Sequence, residues 1–231
     1  MKKQDLFFIG FLILLFLPFV IFEPVYSVYE KFNAGHGFIT SFIKFAILAT
    51  SGELLGLRIR TGNYIVKGFG ILPRAVVWGV LGLSIKAAFV IFSAGVPPLL
   101  GYLGMSTPAV ILASSFSAGK VLVAFCISLF LNIFFSPVLM TVHKITDTHI
   151  QNNNGTFSGF FKPMKTENIL AGIDWKMHWG FVLKKSIPLF WIPAHTVTFL
   201  LPPDFQILFA AILGIVLGVL LAFASISRTD K

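Results

Sequence analysis

The sequence predicts an all-α fold: a polytopic transmembrane helical bundle of six membrane helices, with one amphipathic helix at the interface. Three observations predict it. The 231-residue chain is 56% hydrophobic and only 12% charged, with a mean hydropathy of +0.88. A soluble domain of this size has no core large enough to hide so much apolar surface. Six apolar runs approach the length of about 20 residues that a spanning helix needs. The Lys and Arg residues fall in alternate connecting loops, as the positive-inside rule requires. Residues 1–231 therefore read as a single integral membrane domain.

The runs are Leu6–Phe22, Phe38–Leu57, Ala75–Pro97, Gly119–Val142, Ile187–Leu201 and Ile207–Ser225. Lys2 and Lys3 precede the first, as in a secretory signal. Its apolar core exceeds the usual length of about 7–15 residues, and VYSVYE offers no small-x-small cleavage pattern, which favours a retained helix over a cleaved one. The patch Ala109–Ser117 either lengthens the fourth helix or lies along the membrane surface. The fifth run is short, and its helix is expected to begin near Phe181.

One set of loops carries Lys2 and Lys3, then Arg58, Arg60, Lys67 and Arg74, then Lys144 through Lys185, and finally Arg228 and Lys231. The opposite set holds Glu23, Glu30, Lys31 and Asp204, and Pro97–Pro108 has no charge. Both termini are expected inside, and an even number of spans gives the same answer. The net charge of +9 is thus a topological signal. Its cations are dispersed between apolar runs rather than interleaved with aromatics, which argues against a nucleic-acid partner. The single cysteine, Cys126, excludes an internal disulfide.

Two inner loops have their own character. QNNNGTFSG, residues 151–159, reads as a flexible link, and the Asn154-Gly155-Thr156 sequon on that side is a chance match. In TENILAGIDWKMHWGFVLKK, Ile169, Leu170, Ile173 and Met177 recur at helical spacing. With Trp175, Trp179, Lys176, Lys184 and Lys185 they predict that Asn168–Lys185 contains a helix lying along the inner membrane surface, in the headgroup region. The alternative is a simple lead-in to the fifth span.

Polar residues inside the apolar runs are the candidate functional groups. Lys86 sits near the middle of the third run, where an ammonium costs about 2.5–3.5 kcal/mol unless it faces water, a partner or a pore. Lys44 lies near an end and is expected to snorkel. Lys120 is expected at the outer boundary. Glu53, the only carboxylate within the spans, is expected to pair with Arg60 two turns on or with Lys86 across helices. In WIPAHTVTFLLPPDFQ, residues 191–206, Pro193 and Pro202 each remove a backbone donor and free a carbonyl. Thr196 and Thr198 can occupy such carbonyls. His195 and the threonines then either satisfy a broken helix or line a polar path. Lys86, Glu53 and His195 are expected around one cavity, with Asn132 and Thr198 nearby. Little points to catalysis: His143 and His149 lie six apart, off the spacing of ligands one helical turn apart. No nucleophile elbow, phosphate loop or zinc-protease pattern is readable, so no enzyme, cofactor or metal centre is expected.

The same stretch resembles a family signature. Trp191, His195 four residues on, Thr198-Phe199, Pro202 and Gln206 are similar to the Trp-x-x-x-Gln-x-x-Asn-Phe, Pro, Arg pattern of the Mpv-seventeen family, which includes the twenty-two-kilodalton peroxisomal membrane proteins. Trp191, Phe199 and Pro202 agree, with the Phe-to-Pro spacing one residue shorter. His195, Thr198 and Gln206 stand where the family has Gln, Asn and Arg. SGELLGL, residues 51–57, resembles the small-residue end of the first core helix, without the Gly-Asp that follows it. Arg74 with Gly82 resembles the start of the second, although the family's Gly-Pro falls on Lys86-Ala87. Asn132 with Pro137 resembles the Gln-x-x-x-x-Pro turn of the third.

The resemblance covers about residues 45–225 and leaves 1–37 as an extra helix and loop. It implies a divergent bacterial relative in the cytoplasmic membrane, or else a protein of the mitochondrial inner or peroxisomal membrane. It further implies a channel for small solutes or ions, the alternative being a non-transporting scaffold that organises partners. Expected partners are the lipid bilayer, small solutes or ions, and further copies of the chain in a homo-oligomer.

Overall fold

The computed structural model describes residues 2–229, with side chains described through Val219. Every regular element among them is helical. Helix α1 (Lys3–Ile21) ends at Phe22, whose extended backbone starts α2 (Glu23–Gly35) with Pro24 in the first turn, where a missing N–H costs nothing. Helix α3 (Gly37–Thr61) stops at Gly62, a left-handed residue (φ 78°) whose N–H returns to the Arg58 carbonyl. Helix α4 (Ile71–Tyr102) follows Gly70, also left-handed (φ 73°). After it come α5 (Pro108–Ala113), α6 (Ala118–Phe134) and α7 (Ser136–Asn152). Three short helices follow: α8 (Phe157–Phe160), α9 (Thr166–Ala171) and α10 (Trp175–Met177). A π-helical segment, His178–Trp191, then leads into α11 (Ile192–Leu200) and α12 (Pro203–Thr229).

Among the described residues three helices, α1, α3 and α4, are long and apolar enough to cross a membrane, and α6 with α7 makes a fourth if the pair is one span bent by 44°. The expected six single helices are therefore not what forms, and the prolines explain much of the difference. Pro137 opens α7 and bends the fourth run. Pro188 lies inside the π-helical segment and Pro193 opens α11, so the fifth run is divided into two short elements. The sixth run lies within α12, and the side chains of its last part, 220–225, are outside the described residues. The segment Asn168–Lys185, expected to contain an interfacial helix, is helical in more than one piece. Gly172 ends α9, and the Asp174 carboxylate accepts from the Met177 amide at 3.0 Å, starting a new helix instead of extending the old one.

Helix α3 packs between α4 and α12, and glycines set both distances. A Cβ on Gly52 would lie 2.7 Å from the Ile215 Cα, and one on Gly218 would lie 2.9 Å from the Gly52 oxygen. Gly52 and Gly56 of α3 thus meet Gly214 and Gly218 of α12 backbone to backbone, the small-residue mode of close membrane-helix packing. On the other side Gly79 and Gly82 make room for Phe42 and Phe45, and the Ser41 hydroxyl donates to the Gly82 carbonyl at 2.7 Å. Val123, Ala124, Ile127 and Leu131 of α6 complete the core. Helix α1 buries no residue and is tied to the end of α3 by a two-bond Arg58–Asp5 pair.

This register relocates Lys86. Its Cε lies 3.4 Å from where a Gly37 Cβ would stand, level with the first residue of α3. Helix α4 continues 16 residues beyond that level (86 to 102), roughly 24 Å at the usual rise. Lys86 is central in its own helix but stands at the end of its neighbour.

Candidate functional site

Glu53 is the hub of the first polar cluster. Arg74 and Trp78 lie one turn apart on α4, and His143 and Asp147 one turn apart on α7, so each pair shares a helix face. Arg74 Nη1 donates to Glu53 Oε2 at 2.6 Å, and its Nη2 pairs with Asp147. Trp78 Nε1 donates to Glu53 Oε1 at 3.0 Å, and His143 Nε2 stands 3.0 Å from the same oxygen. The third guanidinium nitrogen, Nε, donates to the Phe69 carbonyl at 2.7 Å. Neither Arg60 nor Lys86 takes the expected place beside Glu53. A planar fork reaches two carboxylates at once, which a lysine ammonium does less well.

Glu53 and His143 face two hollows. One, of about 690 Å³, also has Arg60, Lys67 and Lys144 on its walls. The other is a chamber of about 250 Å³ inside the bundle, walled mainly by apolar side chains together with Ser136, His178, Ser186, Trp191 and His195. His178 is held by Thr141: that hydroxyl donates to the Pro137 carbonyl at 2.7 Å and so accepts from His178 Nε2 at 3.1 Å.

His195 is fixed by α6. The Asn132 amide donates one hydrogen to the Ser128 carbonyl at 2.8 Å and directs the other at His195 Nδ1, 3.0 Å away. The Asn132 oxygen is occupied by the Ser136 hydroxyl at 2.8 Å. The Asn132 oxygen lies 3.3 Å from the same Nδ1, so the amide can meet either tautomer, and the shorter contact is the one in which Nδ1 accepts and the ring proton is on Nε2. The Trp191 ring lies 5.1 Å from the imidazole. Asn132 and Thr198 are fully buried beside the chamber rather than on its wall. The Thr198 hydroxyl donates to the Ala194 carbonyl and that of Thr196 to the Ile192 carbonyl, each one turn back. These are not the carbonyls freed by proline. The one that Pro202 frees, on Thr198, is taken by the Leu201 amide.

Lys86 does not share this chamber. It lies in a third hollow, of about 580 Å³, with Lys120, Phe199, Pro202 and Gln206. Phe89 is the wall common to the chamber and this hollow. Its buried ring lies 4.9 Å from Phe199 and 5.6 Å from His195. Lys44, expected to snorkel, is instead buried, donating to Asn33 Oδ1 at 2.7 Å and standing over the Tyr29 ring.

The expected cluster is thus split: Glu53 and His195 line one chamber, Asn132 and Thr198 back it, and Lys86 stands across Phe89. Of the signature residues, Trp191 lines the chamber, and Phe199, Pro202 and Gln206 line the hollow beyond. Trp78, Asp147 and Phe89 were not singled out from the sequence, while Arg74 was marked only as a loop cation and, with Gly82, as a signature residue, and His143 only as half of a pair with His149 at the wrong spacing for a metal. The four-residue spacings of Arg74 with Trp78 and of His143 with Asp147 were the available signal. Among the described residues no three His, Cys, Asp or Glu side chains gather closely enough to hold a metal ion. Compared with known proteins, the chain matches no family model, no curated protein and no solved structure.

Proposed function

We propose that this protein is a small integral membrane protein whose bundle provides a polar pathway for small solutes or ions. The observation that carries the reading is that the three hollows lie in series. The first and second share Glu53 and His143, and the second and third share Phe89. Charged side chains stand at both ends, Arg60 and Lys67 at one and Lys86 and Lys120 at the other. Phe89 packed on Phe199 closes the series, as an apolar constriction does in channels that gate by dewetting.

In this reading the chain crosses the bilayer six times: through α1, α3, α4, the bent pair α6–α7, the π-helical segment with α11, and α12. The bilayer is that of a bacterial cytoplasmic membrane. The resemblance to the Mpv-seventeen family supports the same view, since Trp191 and His195 line the chamber and Phe199, Pro202 and Gln206 line the Lys86 hollow. The scaffold alternative draws on Ser128, Asn132, Thr196 and Thr198, whose bonds close within the bundle.

The test is solute release from liposomes containing the purified full chain, with a size-graded panel. Phe89→Ala is expected to raise flux above wild type. If neither protein exceeds protein-free liposomes, the pathway reading fails.

A further inference from the structure

We infer that the solutes are small anions. The inference rests on the pathway reading and names the substrate class of that same site.

The charge on the pathway is one-sided. In the outer hollow, Lys86 and Lys120 stand with no carboxylate on the walls. Asp204, close by in sequence, faces a different hollow together with Lys44 and Tyr29. The Lys86 ammonium has no hydrogen-bond or ion-pair partner among the described residues, and Lys120 donates only to the Ser114 carbonyl at 2.8 Å. At the other end Arg60, Lys67, Arg74 and Lys144 face Glu53 and Asp147. Both of those carboxylates are held by Arg74, and Arg60, Lys67 and Lys144 have no ion-pair partner among the described residues. Each mouth therefore carries more cations than carboxylates, a balance that favours anions, and Glu53 and Asp147 are both held by Arg74.

Glu53, held by Arg74, and Lys144 stand where the chamber meets the first hollow, and the other polar groups on its wall are hydroxyls, imidazoles and indoles. His195 Nε2 makes no hydrogen bond among the described residues, and it carries the ring proton when Nδ1 accepts from Asn132. The Trp191 indole N–H is buried with no acceptor. Neutral N–H groups stabilise an anion without trapping it as a fixed cation would, which suits conduction: binding must be favourable enough to enter and weak enough to leave. The chamber of about 250 Å³ is smaller than the roughly 300–1,000 Å³ of drug-sized sites. That restricts the solute to simple inorganic anions and short carboxylates.

The experiment is the reversal potential of the reconstituted full chain across a bilayer with a steep potassium chloride gradient, using wild type and the Phe89→Ala protein. The expected sign is that of chloride. A reversal potential on the potassium side overturns this inference and leaves the pathway standing, whereas no conductance from either protein removes the pathway itself. In Lys86→Glu with Lys120→Glu, the chloride-to-potassium permeability ratio is expected to fall by about tenfold or more, the scale of one charge-assisted hydrogen bond. Lys86→Gln, which keeps a polar side chain, is expected to give a smaller fall and serves if the double variant misfolds. Lys184→Glu, exposed and off the pathway, is expected to change nothing. A ratio unmoved by Lys86→Gln and by the double variant refutes the assignment of the cations to the conducting route.

Discussion

Replacing Arg74 by Met should expose how much of the bundle depends on one guanidinium. Arg74 is 5% exposed and spends its nitrogens on Glu53, Asp147 and the Phe69 carbonyl. The carboxylates it serves are themselves only 18% and 15% exposed. Met keeps the length and apolar stem but takes the guanidinium from both acids, leaving Glu53 with Trp78 and His143 as its hydrogen-bond partners. Breaking a buried pair from one side costs about 3–5 kcal/mol, because the remaining charge is left uncompensated. Glu53→Gln alone should cost less, about 1.5–3 kcal/mol for one charged hydrogen bond, since Arg74 retains Asp147. In the Arg74→Met background the same change removes an unpaired charge and should be neutral or stabilising. The coupling energy should then reach about 2–3 kcal/mol, the upper part of the range for contacting residues. Denaturant unfolding of the four proteins in detergent, followed by circular dichroism, reads it. Single and double variants that add within about 0.5 kcal/mol would show that the pair does not act as a unit.

Gly52→Leu should separate α3 from α12 and destabilise the fold by about 1–3 kcal/mol or more, whereas Gly10→Leu, with nothing within 4 Å of its Cβ position, should unfold like wild type in the same assay. In a Cys126→Ala background, Tyr102→Cys should react with an impermeant thiol reagent added outside, and Asn152→Cys should not. Strong external labelling at residue 152 would overturn the orientation, because Tyr102 ends α4 and residue 152 ends α7, on opposite sides of the proposed bundle.

The helical class was legible because apolar composition and loop charge report the bilayer directly. Packing partners were not, because they depend on register between distant helices. Glu53 illustrates this: sequence proximity favoured Arg60, and burial cost favoured Lys86. The antiparallel register of α3 and α4 that brings Ser41 to Gly82 places Arg74 and Trp78 opposite Glu53 and carries Lys86 up to Gly37. The midplane argument for Lys86 took a 32-residue helix as centred on its neighbours, whereas Lys86 stands level with the first residue of α3. The glycines of α3 and α12 stand four apart in sequence, Gly52 with Gly56 and Gly214 with Gly218, so that interface was there to be read.

The stretch from His178 to Leu200 joins these strands, because its broken backbone and its chamber residues are the same segment. Pro188 and Pro193 prevent a continuous α-helix there, and π-helical turns are often found where a helix serves a site. Backbone groups must be satisfied within the bundle, and hydroxyls answer that need: the Ile192 carbonyl alone accepts from Thr196 and from Ser128, each at 2.7 Å. His195 sits between Ala194, whose carbonyl accepts from Thr198, and Thr196, and makes no such bond. Asn132 turns it so that one nitrogen is used for orientation and the other stays free, at a position where phenylalanine or leucine would fill the space without a buried polar cost. The threonines therefore belong to the helix, and the imidazole belongs to the chamber.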